Sequence, residues 1–320
     1  MKNYRIGIDL GGTYIKGGIV DEANQIVLQR AVPTKAEEGA YAVLDRIVLL
    51  TKDLMTAEYA KDGNCIGVGV GNPGTVDAKR GFVPYSNNIK WENVPVADYL
   101  ERQLELPVKV DNDANCAALG VLLSEKDATY DSAILLTLGT GLGCGIILHG
   151  KIYGGEHAGG AEVGHMMLKS GGRKCSCGKR GCFEAYCSTT GLIKDVEKAI
   201  KKADKKTAFT KSYKKDPNLD GRRILEAVDA GDPVAKKAFA GYLNHLAEGM
   251  AGIIDIFRPD VVYIGGGISA RFDLMEEFLN DYAKKKTFGG EHAFAPVVKK
   301  APGGNDVGII GAAGLFTRGA

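Results

Sequence analysis

Two short segments constrain this chain more than any other feature: Asp9-Leu-Gly-Gly-Thr13 and Thr137-Leu-Gly-Thr-Gly141, 128 positions apart. Each lies between β-branched and apolar runs, so each reads as a strand, a glycine turn and a returning strand. The first continues through the polar turn Asp21–Asn24 into a third strand, and the second does the same through His149–Gly150. A plan repeated at that distance points to an ancient duplication, and so to two halves of α/β character. The 44 glycines of this 320-residue chain fall in bursts beside such strands, which reads as backbone turned toward a ligand rather than as linker.

Helices fill the intervals. Val43, Leu44, Ile47, Leu50 and Leu54 recur at helical spacing. A second helix follows the strand LPVKVDN, with Asn112 or Asp113 as its cap, and a long one covers Pro233 to Phe257. The lysine-rich stretch from Lys194 to Arg223 reads as exposed helix and loop. A formal net charge of +2 leaves no global field that would draw the chain to nucleic acid or to a membrane surface. No apolar run approaches the roughly 18–20 residues that span a bilayer. Seven cysteines, four of them scattered (Cys65, Cys116, Cys144, Cys187), argue against a secreted disulfide framework and for a cytoplasmic, reducing setting.

Phosphate requires backbone N–H groups at close range, where a Cβ would obstruct. Gly11-Gly12-Thr13 and Thr140-Gly141 meet that need, each hydroxyl adding a donor, and Asp9 at a strand end can hold Mg²⁺ opposite the phosphates. Lys16, on the returning strand, joins this set. Neither turn matches a Walker A loop or a dinucleotide fingerprint, and either alone is a common structural turn. Together with Gly265-Gly266-Gly267, where an adenosine could lie flat, they are a much stronger signal of a nucleotide site.

The remaining thiols are clustered. Cys175, Cys177 and Cys182 fall within eight positions, with His165 ten residues before the first, a ligand set that suits tetrahedral zinc. A chance cluster or a redox pair are the other readings. Lys174, Lys179 and Arg180 would offset thiolate charge, and Gly178 and Gly181 let the loop bend.

GIDLGGTYIKGGIVD, GVGVGNPGTVD, VDNDANCAALG, LTLGTGLGCGIILHGKIYGG, HAGGAEVGHM, CSCGKRGCFEAY and VVYIGGGIS, taken in this order, resemble the ROK family in its bacterial glucokinase branch. The resemblance spans nearly the whole chain. It implies the actin-like ATPase fold, with two α/β domains and ATP in the cleft between them. We divide these as 1–111 plus 306–320, and 112–305. ROK repressors carry a helix-turn-helix before the first hairpin, which here begins at Ile6. The resemblance implies that Asp113 is the catalytic base and that Asn112, Glu162, His165 and Glu184 contact sugar hydroxyls. Asn88 and the backbone near Gly74 are expected in the same pocket, with Trp91 packing behind Asn88. Where many relatives have proline and glycine before that tryptophan, this chain has only Lys90. Zinc would brace the sugar pocket, apart from the phosphate hairpins. The expected activity is transfer from ATP to the 6-hydroxyl of glucose by a homodimer. A kinase for N-acetylmannosamine, N-acetylglucosamine or fructose, and a non-catalytic sugar sensor, are the rivals.

Overall fold

The computed structural model describes residues 2–125, 130–203 and 206–317. Among the described residues, thirteen strands form three sheets. The first sheet contains β1 (Lys2–Leu10), β2 (Tyr14–Val20), β3 (Ile26–Pro33), β4 (Gly63–Asn72) and, after three short strands, β8 (Val108–Asn112). Those three, β5 (Thr75–Asp77), β6 (Phe82–Ser86) and β7 (Trp91–Val94), make a small sheet of their own. The second large sheet contains β9 (Ala133–Leu138), β10 (Leu142–Leu148), β11 (Lys151–Ile152), β12 (Val261–Gly265) and β13 (Val297–Lys300).

The large sheets are ordered β3-β2-β1-β4-β8 and β11-β10-β9-β12-β13. Counted along the chain within each half, both run third, second, first, fourth, fifth. The repeat read from the two glycine turns is therefore a repeat of whole sheets. In the first, β1 to β3 form an antiparallel meander while β4 and β8 add in parallel. Asp21 closes the polar turn by accepting from the N–H groups of Ala23 and Gln25 at 2.9 and 2.8 Å. In the second meander His149 and Gly150 both take positive φ.

β1 is buried on both faces, as befits a central strand. The expected helical stripe is buried in the helix Ala40–Met55 and packs into the first sheet's core. The long helix Pro233–Phe257 opens on proline and is capped by Asp232, whose Oδ1 accepts from Val234 and Ala235. The lysine-rich stretch holds helical segments as expected, residues 204–205 lying outside the described residues. No helix among the described residues is long and apolar enough to cross a membrane.

The chain divides into two compact units: Met1–Leu135 with Gly145–Ala161 and Pro302–Ala320, and Leu136–Cys144 with Glu162–Ala301. The expected division after Asp111 instead separated the helix Asp113–Ser124 from the first unit. That helix belongs with the first unit because the C-terminal helix Val307–Gly314 packs against it and against β1 and β4. Residues 318–320 of the expected boundary lie outside the described residues.

This packing uses glycines for a purpose the sequence reading did not assign them. A Cβ on Gly69 would lie 1.7 Å from the Ala312 carbonyl oxygen, and one on Gly311 would lie 1.6 Å from that of Cys116. Backbone rests on backbone, and neither side has room for a methyl group. Gly311→Ala should therefore destabilise the protein by about 1–3 kcal/mol or more, the range of overpacked cores. Urea unfolding of the variant beside the parent measures it.

Candidate functional site

The first unit gathers polar groups where its parallel strands end. β1, β4 and β8 run side by side with Asp9, Gly71 and Asp111 in one row and Asn72 beside Asn112 in the next. Ligands of open α/β sheets collect outside such carboxyl ends. Asp9 pairs with Lys16 across the hairpin, and its carboxylate lies against Gly308, where an added Cβ would sit 2.8 Å from Asp9 Cγ. Burial raises the Asp9 pKa, against the lowering effect of Lys16, and Asp306 adds to the rise. The turn itself is tied at both ends. Gly11 donates its N–H to the Tyr14 carbonyl at 3.0 Å, while Thr34 gives its hydroxyl to Gly11 O at 2.6 Å and its N–H to Thr13 O at 2.9 Å. Gly12 and Thr13 are exposed, and a Cβ on Gly12 would meet nothing within 4 Å.

Beyond β8 the two candidate caps separate. Asn112 caps the helix: its Oδ1 accepts from the N–H groups of Ala114 and Asn115 at 2.9 and 3.2 Å. Its Nδ2 donates to the Gly74 carbonyl at 3.0 Å, so the amide is engaged by the fold on both sides. Asp113 is the first residue of the helix, half-buried, and its Oδ1 accepts from Ala114 N at 2.9 Å. Asp111 is buried, and its Oδ1 accepts from Asn112 N at 2.6 Å and Asn115 Nδ2 at 2.8 Å.

Gly74 has φ 103°, and a Cβ there would lie 2.5 Å from Tyr85 O, so the turn after β4 requires glycine. Asn88 lies in the exposed turn between β6 and β7, with Trp91 buried after it. Lys90 takes φ 54°, the left-handed conformation that a glycine adopts more easily. A cavity of about 190 Å³ in this unit is lined by Asp77, Asp111, Asn115, His157 and the glycines of 154–160. Nothing local in the sequence singles out Asp77, Asn115 or His157. The loop HAGG was visible as a motif, but nothing local tied it to β5 or to the helix head.

In the second unit the other hairpin is held more heavily. Gly139 donates to Gly141 O at 3.0 Å, Thr189 N to Gly139 O at 2.8 Å, and the Thr190 hydroxyl to Thr140 O at 2.9 Å. Glu184 Oε2 accepts from Leu142 N at 3.1 Å, and a Cβ on Gly141 would lie 2.5 Å from that oxygen. In the triple glycine, Gly265 ends β12 and Gly267 is exposed with open space at its Cβ position. Gly266 (φ 81°) would bring a Cβ within 2.5 Å of Leu138 O, so its identity is fixed by the approach to β9.

The cysteine cluster forms as expected. One donor atom from each of His165, Cys175, Cys177 and Cys182 lies within 4.8 Å of the others. His165 presents Nδ1 to Cys175 Sγ at 3.7 Å, which leaves Nε2 for another partner, and the sulfurs of Cys177 and Cys182 are 3.6 Å apart. All seven cysteines are free thiols. A hydrogen bond from the Lys179 backbone lowers the Cys177 thiol most, while burial and the neighbouring thiols raise Cys182. Three sulfurs and one imidazole at these distances fit a tetrahedral zinc and fill its shell. The loop is shaped by Gly178 and Gly181, both at positive φ; a Cβ on Gly181 would lie 1.9 Å from Lys169 O. Glu162 is exposed and its carbonyl accepts from His165 N at 3.0 Å.

Glu184 corrects one expectation. Its Oε1 accepts from the Ser176 hydroxyl at 3.1 Å and faces Cys175 Sγ at 3.6 Å, while Oε2 holds the hairpin. The cysteine loop and the second glycine hairpin are therefore not independent.

The sequence profile of the ROK family matches residues 5–318. The chain is 34% identical over 317 residues to a glucokinase of Thermotoga maritima, covering 97% of this chain and 96% of that one. It is 31% identical over 312 residues to a glucokinase of Halalkalibacterium halodurans, covering 96% and 92%. A crystal structure of a ROK family glucokinase from Streptomyces griseus in complex with glucose and AMPPNP is 32% identical, covers 98% of each chain and matches with a TM-score of 0.79. The fold is that of the actin-like ATPases.

The buried carboxylate behind the helix head gives a test of its own. Desolvation raises the Asp111 pKa, and the bonds from Asn115 and Asn112 only partly offset it. A carboxyl raised on folding holds its proton more tightly in the folded chain. Ionised Asp111 therefore costs stability in full above its folded pKa; the cost shrinks as pH falls through that value and is gone below the unfolded pKa. An asparagine Oδ1 can accept the same two bonds. Asp111→Asn should raise the unfolding midpoint near neutral pH, and the gain should shrink as pH falls toward about 4, the unperturbed carboxylate range. Thermal unfolding of both proteins across that range decides it.

Proposed function

Because the chain belongs to the ROK family, we propose that it is an ATP-dependent kinase that phosphorylates glucose at its 6-hydroxyl, giving glucose 6-phosphate. The observation that carries the reading lies in the first unit. A carboxylate suited to a cation, Asp9, and one suited to a proton, Asp113, stand at the ends of strands of one parallel set, beside an open glycine turn. The full-length likeness to a glucokinase that holds glucose and AMPPNP supports it.

Asp113 accepts the proton of the attacking hydroxyl, which requires a carboxylate within hydrogen-bond reach of it. Its place at the head of a capped helix fixes the backbone from which it reaches. Asn112, Asn88, Glu162, His165, Glu184 and the backbone at Gly74 hold the sugar hydroxyls. Asn112 does so with whatever capacity its cap and its bond to Gly74 leave. Gly11, Gly12, Thr13, Lys16, Thr140 and Gly141 hold the phosphates, and Gly265, Gly266 and Gly267 receive the adenosine. Asp9 holds Mg²⁺, directly or through water. Its burial leaves a carboxylate charge that Lys16 does not fully offset, and a dication would do so. Zinc at His165, Cys175, Cys177 and Cys182 supplies a structural tie rather than an activated water, because four side chains complete its shell. The enzyme is cytoplasmic, which its seven free thiols support, and homodimeric, as its resemblance to ROK kinases implies.

A coupled ADP-release assay across glucose, fructose, N-acetylglucosamine and N-acetylmannosamine tests the substrate. Preference for another sugar reassigns it, and release with none makes the protein a sensor. Asp113→Asn should lower kcat by about 10²–10⁴-fold, the usual worth of a general base. Glucose binding should stay within about tenfold, and a variant that keeps more than about a tenth of kcat has another base. Gly12→Val should raise the KM for ATP without lowering the unfolding midpoint, since its Cβ position is open. Elemental analysis should find about one zinc per chain, from the single four-ligand set among the described residues.

A further inference from the structure

We propose that Glu184 and Ser176 are positioning residues that make the second glycine hairpin, and with it nucleotide affinity, depend on the metal loop. The inference rests on reading Thr140–Gly141 as a phosphate cradle.

The peptide unit between Gly141 and Leu142 is pinned at both poles. Its carbonyl accepts from Gly139 N at 3.0 Å, and its N–H donates to Glu184 Oε2 at 3.1 Å. Rotating that peptide would turn the N–H groups of the hairpin, so the orientation of the Glu184 carboxylate sets how the hairpin presents them. Gly141 leaves the space for it, since any Cβ there would lie 2.5 Å from the same oxygen.

The other carboxylate oxygen reaches the metal loop. Ser176 lies between two ligand residues and donates to Glu184 Oε1 at 3.1 Å. The backbone around Glu184 is fixed independently of any ion, because Phe183, Tyr186 and Cys187 are buried. Gly249 would bring a Cβ within 2.3 Å of the Phe183 ring, so that ring is wedged tightly against the long helix. Ser176, Cys177 and Gly178, in contrast, are exposed. Loss of the metal therefore frees the Ser176 end of the link while leaving the Glu184 backbone in place. The carboxylate then loses the Ser176 hydroxyl on that side, keeps only the longer, weaker contact from Cys175 Sγ at 3.6 Å, and can swing from Leu142. A carboxylate has about four acceptor positions, so this role does not exclude contact with a sugar hydroxyl.

The test is calorimetric binding of ADP, without sugar, to zinc-loaded protein, chelator-treated protein and variants of measured metal content. Ser176→Ala removes the donor without removing a ligand. It should keep full zinc, weaken ADP by about three- to tenfold, the worth of one hydrogen bond, and change the KM for glucose less than that. Ser176→Thr, which keeps the hydroxyl, should restore affinity. Chelation should weaken ADP at least as much as Ser176→Ala does. Unchanged ADP affinity in a zinc-replete Ser176→Ala, or affinity that falls only in step with lost zinc, overturns the link. Gly139→Val separates this from failure of the cradle itself, because its Cβ position meets nothing within 4 Å. If Gly139→Val leaves ADP binding unchanged, the hairpin is no cradle and the functional reading of it fails. If Gly139→Val weakens ADP while Ser176→Ala does not, only the link fails.

Discussion

The structure of the first unit depends on one close approach. The helix Val307–Gly314 lies with its backbone against β1, β4 and the helix Asp113–Ser124, and Gly7, Gly69, Gly120 and Gly311 leave no side chain between them. Backbone dipoles are then brought where side chains would have stood. One result is local: the first turn of this helix arrives at Asp9, with Gly308 against the carboxyl group. A helix N-terminus favours an anion. The Asp9 pKa is nevertheless raised, because desolvation, with Asp306 adding to it, outweighs Lys16.

The same packing explains why three nearby carboxylates do different work. Asp9, Asp111 and Asp113 all act electrostatically on Cys116, a wholly buried thiol whose pKa burial, more than these neighbours, drives upward. Cys116 therefore stays a neutral thiol beneath the strand ends. Above it, Asp111 turns inward to Asn115 and the Asn112 backbone, whereas Asp113 opens a helix. Strand alternation alone would put the two aspartates on the same side. The helix that starts at Asp113 breaks that alternation after one residue.

Much of this was legible because the signals were local. The hairpins, their polar turns and the amphipathic stripe of the first helix follow from runs of a few residues, and so does the clustering of His165, Cys175, Cys177 and Cys182. What escaped depended on distant partners. Asn112 and Asp113 are both good caps, and it is the structure that makes Asn112 the cap, through Ala114 and Asn115, and ties its amide to the distant Gly74. The glycines were read as turns, but Gly69 and Gly311 are ordinary strand and helix residues whose constraint comes from a segment more than 190 positions away. The division between the compact units was misplaced for the same reason. Residue type reports that a Cβ is absent, but not what occupies the space.

The duplicated sheets also differ, in a way that gives the cysteine loop its place. β3 is eight residues long, and the residue that leaves it, Thr34, reaches back to brace the first hairpin through Gly11 and Thr13. Its counterpart β11 is two residues long, a span of only about 7 Å at strand rise. The second hairpin instead takes its braces from Glu184, Thr189 and Thr190, a stretch that begins two residues after Cys182. A repeat that shortens its third strand loses the brace that strand supplied. Here residues that follow the cysteine loop supply the braces, and a carboxylate does for the second hairpin what a threonine does for the first.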